Sequence, residues 1–340
     1  MSKLPKHILV IRLSAMGDVA MTVPVLRALT IQYPEVKITV LTRAFFAPFF
    51  KDLKQVTVAV ADVKGDHKGV LGIYKLAKQL NKTNGFDAIA DLHNVLRSKI
   101  LKRFLKCKLI ATIDKGRKEK KQLTKGEIFK PLKTTYQRYA DVFEALGFKL
   151  NLDQPTFPER AVLNDAILRL IGTKTDNLIG IAPFAAHEGK MYPIEQMKTV
   201  IKSLSKHYKV ILFGGGAHEI KVLKGIEKRF DNVVSVAGKL SLSEELNLIS
   251  NLNLMLSMDS GNGHLAAMLG VKVVTIWGVT HPYAGFAPFN QPEDYALLAN
   301  RDKFPLIPTS IYGNTYPEHY KEAAGSIAPE TVVGKIMSIL

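Results

Sequence analysis

Short apolar runs recur along the chain, and amphipathic stretches separate them. In the first half the runs are Ile8–Leu13, Lys37–Leu41, Val56–Val60, Asp87–Leu92 and Leu109–Ile113. They are rich in Val and Ile, as strands buried on both faces of a parallel sheet should be. Between them, Val23–Gln32, Gly69–Leu80 and Val95–Phe104 read as helices. A second series of strands occupies Leu178–Ala182, Lys209–Phe213, Asn232–Val236, Leu252–Ser257 and Lys272–Ile276. Its helices are Ile194–Lys206, Glu219–Lys228, Ser243–Ile249 and Gly263–Leu269. Alternation of strand and helix predicts doubly wound sheets. The expectation is two Rossmann-like α/β domains facing a central cleft. The N-terminal domain is predicted over 1–155 and the C-terminal domain over 160–325. The polar, proline-containing stretch "NLDQPTFPER" (Asn151–Arg160) reads as their linker. The closing stretch Ala328–Leu340 reads as a helix, and 326–340 is expected to pack back on the N-terminal domain.

Composition narrows the setting. A chain of 340 residues favours two cores over one. A single cysteine, Cys107, excludes an internal disulfide and a cysteine-based zinc site, and fits a reducing cytosol. No stretch approaches the roughly twenty apolar residues of a membrane span. Arg12 and Asp18 interrupt the first apolar run, which makes it a poor signal peptide. The formal net charge of +17 favours a polyanionic partner: nucleic acid, an anionic membrane surface or a phosphorylated substrate. Aromatic residues are not interleaved with the basic runs, which argues against nucleic acid.

In doubly wound sheets ligands sit outside the carboxyl ends of strands, and the informative motifs follow strands. In "LSMDSGNGHLAAMLG" (Leu256–Gly270) the strand ends at Met258 and a helix opens near Gly263. The free N–H groups of such a helix start seat a diphosphate. Ser260 offers a hydroxyl beside Gly261, and His264 can point at the same anion. Asp259 would repel phosphate, so it suits hydrogen bonds from its own loop or from a sugar hydroxyl. In "LFGGGAHEIK" (Leu212–Lys221), Gly214 and Gly215 allow close approach of backbone to ligand. Glu219, just inside the next helix, can accept from ribose hydroxyls or simply complement the helix dipole. In "APFAAHEGKMYP" (Ala182–Pro193), Lys190 can neutralise a leaving diphosphate, with His187 and Glu188 as alternatives, and Pro193 opens the next helix.

The first loop, in "VIRLSAMGDVAMTVPVLRAL" (Val10–Leu29), has one glycine, Gly17, and places a carboxylate at Asp18. Read locally, Asp18 caps the following helix. Thr22 competes for that position because Pro24 suits a first turn. If Thr22 caps, Asp18 is left in the loop, where it can serve as a general base. A basic belt runs through "KILKRFLKCK" (Lys99–Lys108) and "DKGRKEKKQLTK" (Asp114–Lys125), with Arg97 before it. Arg97, Lys115, Arg117 and Lys118 are its candidate anion or membrane-surface contacts, expected on the N-terminal domain. There is no Walker A pattern, no G-x-G-x-x-G, no D-x-D pair and no zinc spacing. The missing glycine fingerprint argues against a dinucleotide-dependent oxidoreductase.

Taken together, the motifs resemble those of the ADP-heptose:lipopolysaccharide heptosyltransferases, glycosyltransferase family 9. "ILVIRLSAMGDVAMTVPVLRAL" resembles the family's N-terminal signature, "FDAIADLHNVLRS" its mid-domain strand and helix, and "MDSGNGHLAAMLGVKVVTIWGVTHP" its C-terminal signature. The chain departs from many relatives at Pro308–Tyr320, which here lacks cysteine. The resemblance implies a GT-B fold and an inverting, metal-independent transferase. Its co-substrate would be an ADP-sugar and its acceptor an anionic lipopolysaccharide precursor. On that basis Asp18 matches the base, Lys190 the lysine near the phosphates, and Glu219 the acidic residue at the ribose. Asp259, Ser260, Gly261 and His264 would surround diphosphate and sugar. The expected setting is cytoplasmic, peripheral on the inner face of the inner membrane, without a nucleic-acid partner; oligomeric state stays open. The alternatives are a relative moving a different sugar and a non-catalytic polyanion-binding protein.

Overall fold

The computed structural model describes residues 4–82 and 85–340; the first three residues of the expected N-terminal domain lie outside it. The chain divides into two compact units. One comprises Met1–Lys115 and Thr135–Thr156, the other Gly116–Thr134 and Phe157–Leu340. The last boundary falls inside the stretch read as a linker.

In chain order the elements of the first half are β1 (His7–Ile11), α1 (Met16–Ala20), α2 (Thr22–Gln32), β2 (Lys37–Thr42), β3 (Val56–Val60) and α3 (Gly69–Leu80). They continue with β4 (Ala88–Asp91), α4 (Leu96–Phe104), β5 (Leu109–Thr112), α5 (Arg117–Thr124) and α6 (Thr135–Glu144). The N-terminal sheet is all parallel in the order β3-β2-β1-β4-β5. Its centre, β1, is buried on both faces: Ile8, Leu9, Val10 and Ile11 are fully enclosed, which is why the run reads as continuous rather than alternating. Helix α3 lays Ile73, Leu76, Ala77 and Leu80 on that sheet at i, i+3, i+4, i+7 spacing. Each large side chain so buried contributes about 2 kcal/mol.

The second half comprises α7 (Asp165–Ile171), β6 (Leu178–Ala182), α8 (Ile194–Leu204), β7 (Lys209–Leu212), α9 (Ala217–Glu227), β8 (Val233–Ser235) and α10 (Leu242–Ile249). It ends with β9 (Leu254–Met258), α11 (Gly261–Met268), β10 (Lys272–Trp277), β11 (Ala296–Leu298) and α12 (Pro329–Ile339). This sheet is also all parallel, in the order β11-β10-β9-β6-β7-β8.

Two placements correct the sequence reading. The closing helix α12 packs within the C-terminal unit. Its Val332 and Ile336, one turn apart, are fully buried in the C-terminal core with Met197, Val200 and Ile201 of α8. The basic stretch after β5 forms α5, and Gly116–Thr134 belongs to the C-terminal unit rather than to the N-terminal one. Its Leu123 and Leu132 bury against Ala284, Lys120 lies 4.1 Å over the Phe286 ring, and Arg301 lies 3.6 Å over Phe129. Apolar burial and cation–π contact, not the charge of a lysine-rich sequence, decide where it packs.

Candidate functional site

Each sheet reverses its strand order once, and the candidate residues gather at those two places. In the N-terminal unit the reversal lies between β1 and β4, in the C-terminal unit between β6 and β9. A crevice opens at the carboxyl edge wherever adjacent strands send their connections to opposite faces.

At the β1/β4 edge, Asp18 sits at the third position of α1, not in a loop. Its Oδ2 pairs with Arg12 at 2.5 Å and accepts the Ala15 N–H at 3.1 Å. Neither Asp18 nor Thr22 is the N-cap residue itself, because Ala15 precedes α1 and Met21 precedes α2; Asp18 instead reaches back from the third position to the Ala15 N–H, a capping-box contact. The Thr22 hydroxyl donates to the Val19 carbonyl at 2.7 Å and caps nothing. Arg12 is buried and donates a second bond to the Leu92 carbonyl at 2.7 Å, and Tyr139 donates to the Asp18 carbonyl at 3.2 Å. Both side-chain contacts of Asp18 fall on Oδ2, and the side chain is 27 % exposed. The carboxylate is therefore oriented while Oδ1 stays approachable.

Beside it, the loop after β4 is organised by Asp91, which is wholly buried. Asp91 accepts the N–H groups of His93 and Asn94 at 3.0 and 2.8 Å, the Ser98 hydroxyl at 3.0 Å, and pairs with Lys102 at 2.7 Å. His93 is buried, with its Nε2 3.5 Å from the Ser14 hydroxyl and its Nδ1 unpartnered. Burial, assisted by the Arg12 and Lys115 charges, pushes its pKa down to about 4. The ring is neutral at pH 7. Arg97 lies on the first turn of α4, half-buried, and Lys115 follows β5. Arg117 and Lys118 are exposed on α5 and go with the other unit, so the four basic candidates do not form one patch of the N-terminal unit.

At the β6/β9 edge, Lys190 and Asp259 meet: Lys190 Nζ lies 2.9 Å from Asp259 Oδ2, both side chains largely buried. The Thr280 hydroxyl donates to the same oxygen at 2.9 Å. Lys190 is thus already neutralised, and Asp259 is partnered by its neighbours. Backbone geometry fixes the lysine. A β-carbon on Gly278 would lie 2.2 Å from the Gly189 carbonyl oxygen, so only glycine lets the loop after β10 seat there. The Val279 N–H then donates to that carbonyl at 2.9 Å. Gly313, with φ at +76°, passes over the Lys190 stem. His187 and Glu188, the alternatives to Lys190, lie just before it, and Glu188 is engaged with Lys321 at 2.9 Å.

Helix α11 opens at Gly261, two residues earlier than the sequence pattern places it, with Ser260 as the preceding residue. The Ser260 hydroxyl is buried without a hydrogen-bond partner and His264 is buried on the first turn. After β7, the Glu219 carboxylate on the first turn of α9 accepts the Gly215 N–H at 2.8 Å. It therefore braces its own glycine loop. A β-carbon on Gly215 would meet no atom within 4 Å, while one on Gly214 would crowd Glu219 at 3.0 Å. Sequence reading missed Arg12, His93 and Thr280 as site residues. A charge inside an apolar run was the available signal for Arg12; the other two had none apart from their motifs.

The family model for glycosyltransferase family 9 (heptosyltransferase) matches residues 73–305. Among curated proteins the chain is 26 % identical to lipopolysaccharide core heptosyltransferase OpsX of Haemophilus influenzae over 295 residues, 84 % of this chain and 82 % of that one. Among solved structures it resembles the glycosyl transferase family 9 protein of Veillonella parvula, with a TM-score of 0.76 and 19 % identity over 98 % of this chain and 97 % of that one. It also resembles E. coli heptosyltransferase WaaC with ADP, with a TM-score of 0.72 and 18 % identity over 98 % of this chain and all of that one. The two all-parallel α/β units are those of the GT-B fold. With the family model spanning both units, the chain belongs to glycosyltransferase family 9, the heptosyltransferases, and is an enzyme of glycosyl transfer.

Proposed function

We propose that this enzyme moves heptose from ADP-heptose onto the inner core of a lipopolysaccharide precursor, with inversion and without a metal ion. Family membership and the heptosyltransferase relatives support the sugar. The observation that carries the chemistry is the Asp18 carboxylate, oriented through Oδ2 by Arg12 and Ala15 with Oδ1 free to meet a hydroxyl.

In the reaction, Asp18 Oδ1 takes the proton of the acceptor hydroxyl. The acceptor oxygen attacks the anomeric carbon from the face opposite the leaving group. The bond from that carbon to the diphosphate oxygen breaks, and ADP departs with the electron pair. Its charge is met by Lys190, by the N–H groups opening α11 at Gly261, and by the Ser260 hydroxyl, which has no other partner. These are fixed donors aimed at developing charge, and they need no metal to act. Asp259 holds Lys190 in place until the diphosphate arrives, and His264 completes the first turn of that seat. Diphosphate backbone approach at Gly214 and Gly215 accounts for glycine where the protein itself leaves open space at Gly215. Glu219, already holding Gly215, presents its second oxygen to the ribose. Arg97 and Lys115 are the cations of the N-terminal unit offered to the phosphorylated acceptor.

The setting proposed is the cytoplasmic face of the inner membrane. Among the described residues no helix is long and apolar enough to cross a membrane. A melting-temperature panel with ADP, UDP, GDP and their sugars tests the donor. A shift with ADP and ADP-heptose alone supports the reading, and shifts with UDP- or GDP-sugars alone refute it. Transfer that stops in EDTA and returns with a divalent cation would refute metal independence.

A further inference from the structure

We propose that the solvent face of α3 and α4 is the surface by which the enzyme docks on an anionic lipid bilayer. The proposal rests on the membrane-bound acceptor argued above and names the surface that meets the membrane.

Both helices cover one face of the N-terminal sheet, with Ile73, Leu76 and Leu101 inward. Their outward sides are unusually apolar. Leu71 is 85 % exposed, Leu96 74 %, Val70 56 % and Tyr74 53 %. Single exposed apolar residues are ordinary, but adjoining ones are not. Here Tyr74 of α3 and Phe104 of α4 touch, ring centroids 5.3 Å apart, so the exposed positions continue from one helix to the other.

The same face is basic. Neither helix contains an acidic residue, and between them they carry six lysines and arginines. Lys75 pairs with Asp66 and Lys102 with Asp91. Lys78, Lys99 and Arg103 have no acidic group within ion-pair distance among the described residues. Apolar side chains ringed by unpaired cations match a bilayer interface carrying anionic headgroups.

Topology ties the face to the chemistry. In a parallel sheet each connecting helix runs opposite to the strands, so its first turn lies at their carboxyl edge. Val70, Leu71 and Leu96 all occupy first turns. They therefore stand at the edge that holds Asp18 and receives the acceptor.

The test is cosedimentation of the full chain with vesicles of phosphatidylcholine alone or mixed with phosphatidylglycerol. Binding is expected only with the anionic lipid and is expected to weaken with salt. The double variants Leu71→Ser with Leu96→Ser, and Lys99→Glu with Arg103→Glu, should each bind roughly tenfold or more weakly. Both should keep the wild-type melting temperature and transfer to a water-soluble, delipidated acceptor. Wild-type protein that ignores anionic vesicles, or variants that bind them as wild type does, would overturn the proposal. So would a dimer that dissociates in the leucine variant with vesicle binding intact, since a second copy would then cover the face. Failure of transfer in the wild type, with vesicle binding lost in the variants, would retire the proposed reaction and leave the docking surface standing.

Discussion

Replacing Lys190 by alanine separates the structural and ligand-binding roles of one buried charge. Lys190 and Asp259 lie 2.9 Å apart, with side chains 13 % and 9 % exposed. At an effective dielectric of 20 that separation corresponds to about 6 kcal/mol of attraction. Desolvation of both ions offsets much of it. Removing one partner, however, strands Asp259 with only the Thr280 hydroxyl, a loss of about 3–5 kcal/mol for a buried pair. For a unit of about 200 residues this lowers the melting temperature by on the order of 10 °C. The double variant Lys190→Met with Asp259→Asn leaves no orphan ion and should recover most of that fall.

Ligand binding separates the two variants from wild type. Saturating ADP, at about 100 times Kd, should stabilise wild type by about 2.7 kcal/mol. Losing one charge-assisted contact of about 1.5–3 kcal/mol should erase most of that increment in both variants, including the double variant whose fold is restored. The assay is differential scanning fluorimetry with and without ADP. If Lys190→Ala melts with wild type, or if the double variant keeps the full ADP increment, the reasoning from this pair fails.

Other substitutions probe the remaining links. Asp18→Asn should reduce turnover by about 10²–10⁴-fold while leaving the ADP-induced melting shift intact; normal turnover would dismiss Asp18 as the base. Gly278→Ala places a β-carbon against the Gly189 carbonyl, so it should cost about 1–3 kcal/mol and raise the KM for donor more than that for acceptor; equal effects on both would mean the loop does not position Lys190. His93, held near 4 by burial against 6.5 when unfolded, binds its proton more readily in the unfolded chain. Stability is therefore lost as pH falls from about 6.5 through 4, and His93→Gln, measured by urea unfolding at pH 7 and 4.5, should lose less than wild type; an equal loss would show that His93 does not carry it.

Central strands were readable because burial on both faces leaves an apolar run with few rivals, and Leu178–Ala182 matches residue for residue; the edge strand Val56–Val60 has no buried residue and was readable from its β-branched composition instead. Elements that bury mixed residues were not. Helix α6 encloses Thr135, Arg138 and Tyr139 among its inward positions, which blurs its period, and β11 is three residues long. In the candidate site, the glycines and carboxylates singled out in the sequence lie just after β1, β7 and β9. Their partners could not be read, because contacts such as Lys190 with Asp259 and Asp259 with Thr280 join different βα loops. Only the strand order brings those loops side by side. Placement of Arg117 and Lys118 failed for a related reason: charge composition describes a segment's solvation, while Leu123 and Leu132 decide which core takes it.

The excursion of Gly116–Thr134 has a consequence for biosynthesis. The chain leaves the N-terminal unit, contributes nineteen residues to the other, returns for Thr135–Thr156 and only then leaves for good. During translation the first unit can close its sheet once α6 emerges. Leu123, Leu132 and Phe129, however, must wait for Ala284, Tyr283 and Arg301, which are made more than 150 residues later. A nascent chain therefore carries an exposed, basic and partly apolar strap through about half of its synthesis, the kind of surface that chaperones hold. Neither half can be cut out as a contiguous fragment with its core complete.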